Sequence, residues 1–214
     1  MMLLLANLPD TLWVSGSFVK DGPDGSVAGY FYMHPGERTV LNVVRPIHQI
    51  MIFRPDTLII YYPDEKRLFY IRSNHTLFSG GIQSSQIGDK NLKRMGFMFV
   101  GDERKGDTTV KVYKHPDTKI KVVLLTLSGK VVGFRTYDPN GSEVVRVDFE
   151  GVREIYRGFN FPSKVVIRMK GESKTETETF TYYSVRVLPS SSVPDYARSF
   201  KPPKDARITY KGWD

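Results

Sequence analysis

Apolar and polar residues alternate with period two along most of this chain, and β-branched and aromatic runs recur from Thr11 onward. That is the pattern of strands with one face buried. Thr11–Lys20 predicts a first strand, closed by the turn cluster Asp21–Ser26 (DGPDGS). Val27–His34, Arg38–Arg45, His48–Phe53, Thr57–Tyr62 and Arg67–Arg72 predict five more, each separated from the next by Pro, Gly or Asp. Links this short join antiparallel neighbours, so the stretch reads as a meander of hairpins. Strands resume at Thr108–His115 and continue as Thr118–Leu127, Lys130–Tyr137, Glu143–Phe149, Val152–Tyr156, Lys164–Lys170 and Lys174–Val187. Asn140-Gly141 marks one of the hairpin turns, since both residues take positive φ readily.

Between the two series the alternation stops. Residues 73–97 place Leu77, Phe78, Ile82, Ile87, Leu92 and Met95 at irregular helical spacing, which predicts one or two short helices. Gly80-Gly81 weakens any helix there by about 1 kcal/mol per glycine. Residues 188–214 read as an extended tail with a closing strand. Lacking repeats or a linker, residues 1–214 read as a single domain, with 1–10 as a short N-terminal segment.

Strands such as Thr57–Tyr62 are apolar on both faces, whereas Glu143–Glu150 alternates cleanly. The fold class is therefore mainly β, with a large antiparallel sheet and little helix to cover its dry face. Such a sheet either closes on itself or leaves an apolar hollow that a ligand can fill.

Composition narrows the chemistry. The chain has no cysteine, which excludes disulfides, thiol nucleophiles and thiolate metal sites. Its net charge is +8, so anionic partners are compatible, but the charges are interspersed as on solvated strand faces. Lys164, Arg168 and Lys170 share one strand face. The aromatic triple Tyr30-Phe31-Tyr32 has no basic residue in its strand, so no nucleic-acid partner is expected, and a binder of nucleic acid or another anionic polymer ranks behind the readings below. The four histidines, His34, His48, His75 and His115, lie in separate hairpins or loops. No second ligand stands at metal spacing, so no metal site is predicted. With no GxSxG elbow, Walker motif or GxGxxG fingerprint, the sequence predicts no catalytic residues, no cofactor and no enzyme. The opening apolar run Met1–Ala6 is shorter than the ~20 residues of a membrane span and forms no complete signal peptide.

Several motifs carry a resemblance. They are the opening strand VSGSFVKDG, the Gly-aromatic strand GYFYMHPGE, the strand RTVLNVV before a proline, and the hairpin IFRPDTLIIYYPDEKRLF with Asp56, Leu58, Tyr61 and Pro63 in place. Downstream are SGKVVGFRTYDPNGSEVVRVDFEGV and the closing Phe200-Lys201-Pro202-Pro203. Together these resemble the outer-membrane lipoprotein carrier (LolA-like) family and its lipoprotein-sorting relatives. The resemblance implies an incomplete barrel with short helices as a lid over a concave, apolar interior that shelters acyl chains. It implies a monomeric periplasmic carrier of lipoprotein or lipid, with inner- and outer-membrane proteins as partners. The alternative it leaves is a sensor module of the same fold that acts on a partner protein. The residues expected to line the concavity are Trp13, Phe18, Tyr30, Tyr32, Leu41, Val43, Met51, Phe53 and Ile60, with Phe78, Ile82 and Ile87 from the lid. One register slip exchanges the two faces of a strand. Where the family's best-known members carry a lid-holding arginine before the proline, this chain has His34. An imidazole lacks the guanidinium's five donors, so His34 is the expected but weaker lid-control residue.

Overall fold

A computed structural model describes residues 9–35, 37–54, 56–72, 87–171 and 174–212. Phe78 and Ile82, most of the expected lid (73–86), residues 1–8 and residues 213–214 lie outside the described residues.

The first meander is β1 (Leu12–Gly22), β2 (Gly25–His34), β3 (Arg38–Arg45), β4 (Gln49–Phe53), β5 (Thr57–Tyr62) and β6 (Arg67–Arg72). A six-residue helix, α1 (Asp89–Arg94), precedes the second series. That series is β7 (Met98–Lys105), β8 (Thr108–Lys114), β9 (Lys121–Leu127), β10 (Lys130–Tyr137), β11 (Glu143–Glu150), β12 (Arg153–Tyr156), β13 (Phe159–Phe161), β14 (Lys164–Lys170) and β15 (Thr175–Pro189). A tail with the short helix α2 (Asp195–Arg198) ends in β16 (Arg207–Lys211).

Fourteen of these strands form one sheet in the order β16-β6-β5-β4-β3-β2-β1-β15-β14-β11-β10-β9-β8-β7, while β12 and β13 pair separately. Neighbours are antiparallel except β16, which lies parallel to β6. The sheet is large and curved and does not close into a barrel. The pairing of β1 with β15 joins the two meanders, running from Leu12 opposite Pro189 to Asp21 opposite Thr179.

Glycines sit where the ladder slips. Register shifts fall at Gly16 between β1 and β15, at Gly29 between β2 and β3, at Gly101 between β7 and β8, and at Gly133 between β9 and β10. A Cβ on Gly29 would stand 2.2 Å from the Asn42 carbonyl oxygen, and one on Gly133 would stand 2.4 Å from that of Val147. Only glycine permits backbones to approach so closely, and bulges of this kind bend a sheet.

The bent sheet has two apolar clusters. The larger covers one face, here called the inner face. It gathers Phe18, Phe31, Leu41, Phe53, Phe134, Val147 and Phe180 with Ile87, Leu92 and Phe97 around α1. The smaller lies on the outer face of the first meander, where Trp13, Val40, Ile50, Ile52, Ile59 and Leu68 are covered by Val193 and Ala197 of the tail.

The paired strands follow the periodicity closely, and Arg38–Arg45, Thr57–Tyr62, Arg67–Arg72, Lys130–Tyr137 and Lys164–Lys170 have the predicted bounds. Among the differences, two have clear physical causes. The strand expected from Thr118 begins at Lys121, because a turn holds the His115 N–H on the Ile120 carbonyl and puts Lys119 at φ 59°. Strand β7 was not predicted: its sequence MFVGDERK is exposed almost throughout as the edge of the sheet and shows no buried face. The tail contributes α2 as well as its closing strand.

Candidate functional site

Cross-strand register builds the inner face one row at a time. Phe31 lies opposite Leu41, Leu41 opposite Met51, Met51 opposite Ile60, and Ile60 opposite Phe69. Residues paired in this way point to one side of the sheet, so five adjacent strands present one unbroken apolar row. A second row runs Phe53, Leu58, Ile71 beside it. Burial falls along the first row. Phe31 is 0% exposed and Leu41 7%, whereas Met51, Ile60 and Phe69 are only half-buried, as are Leu58 and Ile71. Among the described residues, the inner face is therefore least covered toward β6.

At the other end the protein fills its own concavity. Phe161, from the β12–β13 hairpin, stacks on Phe31 with ring centroids 5.6 Å apart, and Tyr182 meets both rings edge-on. Gly16 leaves room for this: its Cβ would meet Phe31 at 2.9 Å. The expected hollow is thus confined. Its side near β1, β2 and β15 is packed with aromatic rings, and among the described residues its β4–β6 side is not. Burial pushes the Tyr182 phenol well above its ordinary value, and among the described residues its hydroxyl has no hydrogen-bond partner.

Helix α1 is fastened to the rim. Asp89, its first residue, accepts hydrogen bonds from the Tyr113 hydroxyl at 2.6 Å and the Lys111 ammonium at 2.7 Å. Burial raises the Asp89 carboxyl, but the bonds from Lys111 and Tyr113 and the Lys111 charge outweigh it and hold the group below its ordinary value. An acidic first residue also suits the helix dipole. The helix ends at Gly96, whose φ of 84° allows the Phe97 N–H to reach back to the Leu92 carbonyl at 3.0 Å. Leu92 and Phe97 are thereby aimed into the inner cluster.

The expected lining residues divide between the faces. Phe18, Leu41, Val43, Met51, Phe53 and Ile87 belong to the inner cluster, and Ile60 shares their face through its pairing with Met51. Trp13, Tyr30 and Tyr32 do not. Alternation in β2 turns Phe31 and Met33 inward, which sends Tyr30 and Tyr32 outward. Tyr32 packs edge-on against Tyr196 of the tail, and Tyr30 is 51% exposed. Trp13 belongs to the outer cluster and donates from Nε1 to the Ser190 hydroxyl at 3.1 Å. The Gly-aromatic strand is apolar on both faces, so its pattern could not say which way its rings point.

His34 is 6% exposed and stands edge-on to Trp13. Its Nε2–H donates to the Asp10 carbonyl at 2.8 Å, and Nδ1 lies 3.1 Å from a Glu37 carboxylate oxygen. These contacts tie the end of β2 to the entry of β1. Among the described residues, Asp89, Lys111 and Tyr113 fasten α1. Lys111 was legible only as a polar interruption in the strand TTVKVYK. Another cation missed by the sequence reading, Arg38, donates to the Ala197 and Arg198 carbonyls and holds α2 against the outer face. Burial, with Arg54 nearby, lowers the Arg38 guanidinium from its ordinary value. Among the described residues, no group of three or more His, Cys, Asp or Glu side chains could hold a metal ion.

Three solved structures share this architecture. A LolA superfamily protein from Nitrosomonas europaea aligns with a TM-score of 0.62 at 15% identity, over 94% of this chain and 96% of its own. An outer membrane lipoprotein-sorting protein domain from Vibrio parahaemolyticus gives 0.59 at 12% identity, covering 92% and 96%. A DUF1329 family protein from Desulfovibrio piger gives 0.58 at 11%, covering 90% of each. The chain has the LolA-type fold. No family model and no curated protein sequence matches it.

Proposed function

We propose that the protein is a carrier that shelters an acyl chain of a lipoprotein or lipid on the β4–β6 side of its inner face. One observation carries this reading: the continuous row Phe31, Leu41, Met51, Ile60, Phe69, fully buried at one end and half-buried at the other. A half-buried apolar row next to a fully packed aromatic floor offers a chain something to lie on and a place to stop. Burial supplies roughly 0.8 kcal/mol per CH₂ group, about 10 kcal/mol gross for one long chain, and ordering the ligand offsets part of that. Met51 in mid-row adapts to chains of different shape. The LolA-type fold supports the reading by analogy of architecture, and it makes the periplasm the expected compartment. Non-covalent binding of this kind needs no cofactor and no catalytic group.

Native mass spectrometry of the full chain mixed with a diacylated lipopeptide tests the proposal. A one-to-one adduct that disappears in Ile60→Asp is the expected result. An adduct that persists unchanged in that variant, or none at all, overturns it.

A further inference from the structure

The outer face of the second meander carries an arrangement that acyl-chain binding does not use. Arg135 on β10 lies directly opposite Arg146 on β11, and Arg146 lies directly opposite Arg168 on β14. Three arginines in one cross-strand row repel one another. Two carboxylates relieve part of this. Asp148 accepts from Arg135 and from Arg168, each at 2.6 Å. Glu143 accepts from Arg146 at 2.7 Å through Nε and 3.2 Å through Nη2. Elsewhere on this face a simple alternation of sign suffices, as where Lys164 meets Glu150 at 3.0 Å. The arginine row keeps an excess of positive charge.

Beside the row lies an open cavity of ≈ 250 Å³ lined by Val144, Val145 and Thr175 together with Glu143, Arg146, Arg168 and Lys170. Its lining holds three cations against one carboxylate. It is smaller than the ~300–1,000 Å³ of pockets that enclose drug-sized ligands, and its charge excludes an acyl chain. Among the described residues, Arg168 commits one Nη to Asp148 and keeps Nε and its second Nη for another acceptor. Arg146 likewise keeps Nη1. The remaining Arg168 fork, the remaining Arg146 Nη and the Lys170 ammonium around one small cavity match the several oxygens and the double negative charge of a phosphate group.

We infer that this cavity is a phosphate-binding site on the opposite side of the sheet from the acyl-chain row. It takes the phosphate of a small soluble ester or of an anionic lipid headgroup. Either source presents the same chemistry to Arg146, Arg168 and Lys170, with the Thr175 hydroxyl as a further donor at the rim.

Calorimetric titration of the full chain at low salt with glycerol 3-phosphate tests the soluble arm. Co-flotation with phosphatidylglycerol vesicles, against phosphatidylcholine vesicles, tests the headgroup arm. Saturable binding in either arm is expected, weakened about tenfold in R168Q/K170Q, the equivalent of one charge-assisted hydrogen bond. The double variant K201Q/K204Q removes the same charge from the exposed tail and is expected to bind as the parent does. K170Q alone leaves the Arg168–Asp148 pair in place and is expected to show part of the loss at an unchanged Tm. Saturation in the first arm alone identifies a soluble ester, and preference for phosphatidylglycerol with the same variant dependence identifies a headgroup. Absence of saturation in both arms overturns the inference. So does an equal loss in K201Q/K204Q, which would make the effect one of net charge only.

Discussion

The two meanders share one sheet yet treat their outer faces oppositely. In β1–β6 the outer face is apolar and roofed by the tail, with Val193 and Ala197 on Val40, Ile52 and Ile59. In β10, β11 and β14 it is a lattice of charges, with Asp148 between Arg135 and Arg168. The inner faces differ as well. The second meander and the β12–β13 hairpin bury the rings of Phe161, Phe134 and Phe149, while the first leaves Met51, Ile60 and Phe69 half-buried. A meander apolar on both sides must find two covers. The tail supplies the outer one, and among the described residues the inner one is incomplete toward β6. The incomplete cover is where an apolar ligand gains most, because surface already buried has nothing further to yield.

The largest effect is expected from Phe161→Ala. It removes a buried ring stacked on Phe31 and should cost about 3–5 kcal/mol, seen as a drop in the urea midpoint. Phe69→Ala, in the half-buried end of the inner row, should cost under about 1 kcal/mol while weakening lipopeptide binding. Equal losses of stability in the two variants would erase the contrast between a packed and an open half. Next in size is Tyr196→Ala, which strips the tail's edge-on contact with Tyr32 and its hydroxyl's bond from Asn42 at 3.2 Å. A loss of about 1–2 kcal/mol is expected, with faster hydrogen exchange confined to β2–β5. Tyr183→Ala, on the unroofed outer face at 51% exposure, should stay within about 0.5 kcal/mol.

A smaller effect sharpens the account of α1. The Asp89 carboxyl is held below its ordinary 3.8. Its contribution to docking is therefore complete above that value and is lost as pH falls through the lowered one. Hydrogen exchange over residues 89–97 should quicken in that acid window before the sheet melts. Asp89→Asn should show the faster exchange at neutral pH, and an unchanged rate there would remove Asp89 as the fastening.

Much of the sheet was legible because hairpins declare themselves locally. Pro63-Asp64 and Asn140-Gly141 fix turns, and the alternation in Glu143–Glu150 fixes a face. Three things were not legible. Strand β7 owes its existence to pairing with β8 alone and carries no burial signal. The direction of Tyr30 and Tyr32 depends on register with β3, which a strand apolar on both faces does not encode. The filling of the concavity by Phe161 depends on a hairpin returning across the sheet, a contact between residues 130 positions apart (Phe31 and Phe161). Long-range packing decided which expected residues reached the inner face: Leu41, Val43, Met51 and Phe53 did, and Trp13 did not.

The most direct test of the central claim is a displacement titration. An environment-sensitive apolar fluorophore is bound to the full chain and then competed with a diacylated lipopeptide. The account predicts saturable brightening at one site, loss of the signal as lipopeptide is added, little binding by Ile60→Asp, and full binding by Tyr30→Asp on the opposite face. Equal binding by both variants, or a fluorophore that lipopeptide does not displace, would contradict it.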